Sequence, residues 1–469
     1  MDDTVSIVWF RKDLRLDDHP AFHEALKGSR HVIPLYIWDP EYEAPWSPGT
    51  ASRSWLLQSL QSLDQALQNR GSKLVFRYGK TRAVLNDIIA STRATSILWH
   101  RRYEPAVAER DRLTIDHLMR KGVRATVLSG SLLREPESIR KDNGEPYRVF
   151  TAYWNAHRRM MPHRKPLPDL PPRLPSVHPS IHSDAIETGP FFLDSSKPSN
   201  QTLGFTPGET GALHALRHFS TEWVERYGSS RDRPDWTGTS RVSPHLAWGE
   251  ISPARVWDTI TPAHSTPATS NGIDTFLKEI GWREFAYHLL VHFPSTPEEP
   301  LRGEFRHFPW QNKPKALERW KSGQTGFPMV DAGMRELYRG GWMHNRVRML
   351  TASFLVKNLG ISWTEGSRWF WDRLFDADLA NNTLGWQWTA GCGADAAPFF
   401  RIFNPVIQGQ KFDPDGTYVR QWIPEINTLP QRLIHTPWMA SDGDTTYPDR
   451  MVSLIESRQR ALNDFRSLS

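Results

Sequence analysis

The sequence predicts an N-terminal Rossmann-like α/β domain with a parallel sheet over residues 1–130, a connector over 131–205 and an all-α domain over 206–469. Three observations carry that expectation. Short apolar or β-branched runs alternate with helix-period stretches at the start, prolines crowd the middle, and helical spacing dominates the remainder.

In the first part the strand-like runs are Val5–Phe10, Val32–Trp38, Lys73–Tyr78, Ser96–His100 and Ala125–Leu128, separated by stretches such as Ser52–Arg70 and Ala106–Lys121 with apolar residues at helical spacing. Strands joined through helices run parallel, because the crossover brings the chain back to the same end of the sheet. Ten of the 36 prolines fall between Pro162 and Pro207. Proline fixes φ and removes a donor, so this stretch reads as a connector rather than a helix or a central strand. It ends at Thr206-Pro207-Gly208-Glu209, a capping-box pattern with proline at the first helical position. Helical spacing then covers Ala212–Tyr227, Pro253–Ile260, Ile273–His292, Pro314–Ser322, Val330–Gly340, Asn345–Lys357, Trp363–Phe375 and Val452–Ser467.

Composition narrows the chemistry. The chain of 469 residues has a net charge of only +6, but arginine outnumbers lysine by 44 to 14. Guanidinium suits phosphate oxygens and aromatic faces, so the bias allows a nucleotide or nucleic-acid partner, with a solvated basic face as the alternative. The single cysteine, Cys392, excludes a disulfide framework, an all-cysteine zinc site and a four-cysteine iron–sulfur cluster. An acidic start, Met1-Asp2-Asp3, and no apolar run of membrane-spanning length lead to the expectation of a soluble, cytoplasmic protein with no membrane partner. Tryptophan, at 21 residues, is nearly twice as common as tyrosine, at 11, which raises the question of what flat object the indoles surround.

The usual phosphate-binding patterns are absent. No G-x-G-x-x-G follows the first strand, no G-x-x-x-x-G-K-[ST] occurs, and Gly391-Cys392-Gly393-Ala394-Asp395-Ala396 lacks a third glycine. Instead Asp376, Asp378, Asn381, Asn382, Trp386 and Trp388 fall within thirteen residues, followed by Arg401-Ile402-Phe403-Asn404-Pro405. Carboxylates and amides supply directional hydrogen bonds to the edge of a flat heteroaromatic ring, and indoles supply π-faces. Composition alone leaves a ligand-free polar network as the alternative.

That run, together with Trp9-Phe10-Arg11-Lys12-Asp13-Leu14-Arg15, Gly238-Thr239-Ser240-Arg241-Val242-Ser243-Pro244, Trp282-Arg283-Glu284-Phe285 and Gly341-Trp342-Met343-His344-Asn345-Arg346, closely resembles the photolyase/cryptochrome flavoproteins over nearly the whole chain. The resemblance implies an N-terminal α/β domain, a long connector and a helical domain holding FAD. It implies light-driven repair of cyclobutane pyrimidine dimers in UV-damaged DNA, a carbon–carbon lyase reaction, by a monomer.

Residue by residue, the resemblance places Tyr227, Thr239, Ser240 and Ser243 at the FAD pyrophosphate and ribityl chain, with an ordinary helix cap as the other reading of Thr239 and Ser240. It places Arg348 and Asp376 as an ion pair beside the isoalloxazine, Asp378 at the ring edge and Asn382 facing N5. A neutral amide there does not readily give up a proton, which favours an anionic, fully reduced flavin and hence repair. Glu279 would bond the pyrimidine edge, with Trp282, Trp388, Asn345 and Met349 completing the lesion pocket. Related enzymes acting on 6-4 lesions tend to carry histidines where Asn345 and Met349 stand. Trp386, Trp363 and Trp310 match an electron relay from the surface, and Arg231, Arg346 and Arg401 match contacts to phosphates flanking the lesion, each arginine alternatively an intramolecular ion pair.

The resemblance also implies an antenna chromophore, expected to be methenyltetrahydrofolate with Glu109 at the pterin edge and Trp38 nearby. Ser243-Pro244-His245-Leu246 resembles plant cryptochromes and class III bacterial photolyases, so class III is the narrower expectation, with class I as the alternative. A blue-light photoreceptor signalling through a protein partner is the competing function. Only 64 residues follow Pro405, and they include the helical-period stretch Val452–Ser467, which favours the enzyme.

Overall fold

Five strands form one sheet: β1 (Val5–Phe10), β2 (His31–Trp38), β3 (Val75–Tyr78), β4 (Ser96–His100) and β5 (Arg124–Leu128), all parallel, in the order β3-β2-β1-β4-β5. The computed structural model describes residues 4–160, 166–186, 203–261, 267–396, 398–399, 401–440 and 446–468. Residues 161–165 and 187–202, which carry part of the predicted connector, lie outside the described residues.

β1 is buried along its whole length because helices cover both faces, so its run reads as continuously apolar rather than alternating. Val8 and Phe10 enter one core with the Thr50–Gln68 helix, while Ile7 and Trp9 enter another with the Thr81–Thr92 and Pro105–Arg120 helices. All five strands fall within two residues of their predicted bounds.

The segment after β1 is a junction rather than a phosphate loop. Leu14 N donates to Trp248 O at 3.1 Å, and Arg15, 2% exposed, donates to Gly249 O at 3.0 Å and Gly130 O at 2.9 Å. A side chain at Gly249, where φ is +65°, would meet Lys12 O at 2.1 Å, so only glycine lets the two parts of the chain approach this closely. Trp55 stacks on Phe375 at 4.7 Å and donates to Glu250 Oε1 at 3.0 Å, while Trp248 Nε1 donates to Phe375 O at 3.0 Å. Phe375 is therefore gripped from two sides, and its successor Asp376 inherits a fixed position.

The predicted capping box does not form. The helix runs Glu209–Glu222 with Gly208 as its cap, and the Glu209 carboxylate instead accepts from Leu16 N at 3.0 Å and Asp17 N at 2.7 Å, across the junction. The chain then continues through a 3-10 turn, Val224–Arg226, and a short helix, Tyr227–Ser230, where one helix was expected. The expected helix over Asn345–Lys357 is α-helical only to Ser353 and widens into a π-turn at Phe354–Leu359, ended by Gly360 at φ +75°.

The helical part buries one large core built by the Pro267–His292, Pro328–Gly340, Asn345–Ser353, Trp363–Arg373 and Leu379–Ala390 helices. The helices over Leu379–Ala390 and Pro405–Phe412 had no strong apolar period in the sequence, and the amphipathic Phe150–Arg159 helix was not among the expected ones. Phe150–Arg159 lies inside the predicted connector, yet its Phe150, Tyr153 and Trp154 form an apolar cluster with Phe285 and Leu289. No described helix is long and apolar enough to cross a membrane.

Candidate active site

The Leu379–Ala390 helix starts where Asp378 caps it: Oδ1 accepts from Asn381 N at 2.9 Å and from Asn381 Nδ2 at 2.6 Å, and Oδ2 accepts from the Tyr287 hydroxyl. The helix ends at Gly391, in the left-handed region at φ +83°. One face of this helix and the Pro267–His292, Asn345–Ser353 and Trp363–Arg373 helices enclose a cavity of about 400 Å³.

Asp376 and Arg348 form its charged side. Arg348 Nη2 stands 2.7 Å from Asp376 Oδ2, and its Nε donates to Met343 O at 2.7 Å, which fixes the guanidinium plane. The Ser243 hydroxyl donates to the same Asp376 oxygen at 2.7 Å. Asp376 Oδ1 is buried without a hydrogen-bond partner, although buried carboxylate oxygens ordinarily have one.

Asn382 donates from Nδ2 to Ser367 O at 3.0 Å, which leaves its amide oxygen for the cavity. Glu279 lies at the cavity's mouth beside Arg231, whose Nη1 contacts it; burial pushes its carboxyl up and Arg231 pulls it back down. Trp282 and Trp388 line the same space, as do Asn345 and Met349, one turn apart with Nδ2 and Sδ at 3.9 Å. Eleven of the twenty residues expected at a site converge here.

The three tryptophans expected to form a relay belong to one apolar core, Trp310 at its edge. Trp386 forms part of the cavity wall, 2% exposed, with Phe370 edge-on at 4.9 Å. Gly366 lies under it, where an added Cβ would stand 2.0 Å from the indole. Trp363 is buried at the start of the preceding helix, Trp363–Arg373, and Trp310 is half-buried against Phe308 at 4.3 Å.

Other expected residues fall outside the cavity. Tyr227 packs edge-on between Phe219 and Phe276 at 5.5 and 5.4 Å. Thr239 and Ser240 are half-buried on a bend that turns through Arg241, at φ +53°, into the five-residue Ser243–Ala247 helix. Arg346 is paired with Asp232 at 2.7 Å, and Arg401 is exposed.

Glu109 is exposed on the Pro105–Arg120 helix and paired with Arg112 at 2.7 Å, at none of the described cavities. A second cavity, of about 340 Å³, lies instead between Lys12, Glu43, Trp46, Glu104 and Trp371, with the two indoles edge-on at 5.4 Å. Although burial alone would raise it, the Glu104 carboxyl is held well below the usual range by Arg102 and Lys12. Trp38 lies at a third cavity with Tyr78.

Sequence reasoning missed Tyr287, Ser367 and Gly366. Each acts through a single atom contact, or the lack of one, and leaves no periodic or compositional signal.

Residues 6–173 match the family model described as DNA photolyase, and residues 276–467 match that described as the FAD binding domain of DNA photolyase. A deoxyribodipyrimidine photo-lyase of Agrobacterium fabrum is 43% identical over 97% of this chain and 96% of its own length. The chain belongs to the DNA photolyase family.

Within that family, cryptochrome-1 of Arabidopsis thaliana is 37% identical over 97% of this chain and 69% of its own length. A class III photolyase structure from Agrobacterium tumefaciens superposes with TM-score 0.91 at 41% identity, covering 100% of this chain and 98% of that one. A Synechocystis cryptochrome structure gives 0.88 at 30%, covering 99% and 100%. The expected α/β plus helical architecture and the FAD-binding domain are thus features of this photolyase-family chain.

The donor set fits a flavin. Asp376 Oδ1 is an unsatisfied buried acceptor, Arg348 a fixed cation, and the remaining wall is apolar and aromatic, which matches a ring with N–H and carbonyl groups along one edge.

Proposed function

We propose that this protein repairs cyclobutane pyrimidine dimers in DNA under blue light, as a class III photolyase. The observation that carries the reading is that one cavity is lined by Arg348, Asp376, Asp378 and Asn382 together with Glu279, Trp282 and Trp388. FAD bound there would supply a light-excited electron donor. Everything else is done by the chain.

Asp376, Arg348 and Asp378 orient the cofactor's polar edge. Asn382 offers an amide that cannot titrate, so it favours the anionic reduced form. A dimer flipped from the duplex, at a cost of a few kcal/mol, enters against the indoles of Trp282 and Trp388, which replace the stacking it lost. Glu279 hydrogen-bonds the pyrimidine edge and stabilises the negative charge that the dimer would carry from the arrival of one electron, through opening of the cyclobutane ring, until that electron returns to its donor. Asn345 and Met349 fill the pocket without offering the imidazole acid that 6-4 chemistry favours.

Trp386, Trp363 and Trp310 provide oxidisable rings between the cavity and the surface. Tyr227, Thr239, Ser240 and Ser243 hold the pyrophosphate and ribityl chain, while Arg231, Arg346 and Arg401 meet the DNA backbone as a monomeric enzyme docks. The antenna folate is assigned to the Lys12–Glu43–Glu104 cavity, whose carboxylates suit the donor edge of a pterin and whose indoles suit its face.

Incubation of the reduced protein with a thymine-dimer oligonucleotide tests the reading. Thymines restored under blue light but not in darkness support it. Absence of repair with FAD bound and reduced turns the assignment to a photoreceptor.

A further inference from the structure

Trp282 is not supported by its own helix alone. The Phe150 ring lies parallel to it, with centroids 3.8 Å apart and planes within 10°, the closest aromatic pair among the described residues. Phe150 is only 7% exposed and is the first residue of the Phe150–Arg159 helix, which follows the sheet in the chain.

That helix is seated so that the stack cannot drift. Gly281, just before Trp282, has no side chain, and a Cβ there would stand 2.5 Å from the Trp154 indole. Trp154, one turn after Phe150, therefore lies directly on the Pro267–His292 backbone. The Phe150 N–H, an orphan donor at a helix start, is taken by Asp395 Oδ2 at 3.2 Å. Asp395 itself stands at φ +46°, a conformation disfavoured for a non-glycine residue, six residues before Arg401. Phe285, edge-on to both rings at 5.9 Å, closes the remaining side.

We infer that Phe150 is a positioning residue for dimer recognition: it covers one π-face of Trp282, holds the indole in one rotamer, and leaves the opposite side for the flipped pyrimidine pair. The inference rests on the repair reading given above. An indole already ordered in the free protein loses little freedom when the lesion arrives, and immobilising such a side chain otherwise reduces affinity by a few-fold to about tenfold.

The test measures binding and turnover separately for the holoenzyme and for F150L, F150Y and F150W, with flavin absorbance per chain as the check on fold. F150L is expected to weaken binding of a thymine-dimer oligonucleotide about fivefold to tenfold. Its affinity for the undamaged oligonucleotide, and its repair rate at saturating dimer, should change less than twofold. F150Y and F150W, which keep a flat ring, should restore dimer affinity. Equal loss on damaged and undamaged DNA, a fall in saturated rate with unchanged affinity, or tyrosine and tryptophan variants no better than leucine would each overturn the inference. If F150L loses its flavin, the comparison of F150Y with the parent decides: dimer affinity within twofold of the parent is required. A parent that does not prefer the dimer oligonucleotide would instead overturn the repair reading itself, a result visible before any variant is compared.

Discussion

Arg348 and Asp376 meet through one carboxylate oxygen only: Oδ2 accepts the guanidinium at 2.7 Å, while Oδ1 is buried with no partner. A half-used carboxylate beside a fixed cation is poised for a third group. Asp376→Asn should lower bound flavin per chain severalfold, because the amide removes the charge that holds Arg348 in place. Arg348→Ala strands a buried anion and should destabilise the protein by about 3 kcal/mol. Flavin absorbance per chain and urea unfolding check both; an unchanged flavin content in Asp376→Asn would contradict the cofactor geometry.

Gly366 and Trp386 give a second prediction. Gly366→Ala puts a methyl group where the indole already is, so the ring must move or the helices must separate, at about 1–3 kcal/mol. Trp386→Phe keeps an aromatic ring beside Phe370 at the cost of a small void over Gly366, and removes the easily oxidised indole. It should abolish light-driven reduction of the oxidised cofactor in the presence of an external donor while leaving repair by chemically reduced enzyme within a few-fold of the parent. Loss of both activities would mean that the pocket had collapsed.

The three arginines expected to meet DNA phosphates are unequal. Arg231 is engaged by Glu279 and Arg346 by Asp232, whereas Arg401 is exposed. Each phosphate contact contributes about 0.9 to the slope of log affinity against log salt on duplex DNA. Arg401→Ala should therefore lower that slope by about 1, measured by fluorescence anisotropy across a salt series. Arg231→Ala should chiefly disturb Glu279 and reduce the preference for damaged DNA.

How much of this was legible follows from what each feature depends on. The strands were readable because a sheet covered on both faces demands unbroken apolar runs, as in Val5–Phe10. That several of these side chains would gather at one cavity was readable because carboxylates, amides and indoles are crowded into Asp376–Trp388. Glu209 was misread: its spacing from Thr206 satisfied a local rule, but two backbone donors at Leu16 and Asp17 outcompeted the local partner. The Leu379–Ala390 helix turns Asn381 and Asn382 towards the cavity, on a face that a period search expects to be apolar, so its periodicity was weak. Phe150 was invisible because its partner lies 132 positions away.

Lys357 offers a test that depends on pH. It is 1% exposed on the π-turn, donates from Nζ to Arg401 O at 2.8 Å, and has the Phe399 ring at 5.2 Å. Burial, with a smaller push from Arg401, brings its amine down from the ordinary 10.5 to about 7. In the unfolded chain the amine keeps its proton up to the ordinary value. Between those limits folding releases a proton, so the unfolded state binds more protons and stability contributed by this group rises with pH. Below about pH 7 both states are protonated and the burial penalty is present in full. At about 1.4 kcal/mol per pH unit, the parent should gain on the order of 2–3 kcal/mol relative to Lys357→Met on going from pH 7 to pH 9. Urea midpoints for both proteins at the two pH values measure the difference, and parallel changes would show that the ammonium is solvated. The same variant loses the bond to Arg401 O, so its salt slope on DNA should move towards that of Arg401→Ala, linking the buried amine to the DNA-facing loop.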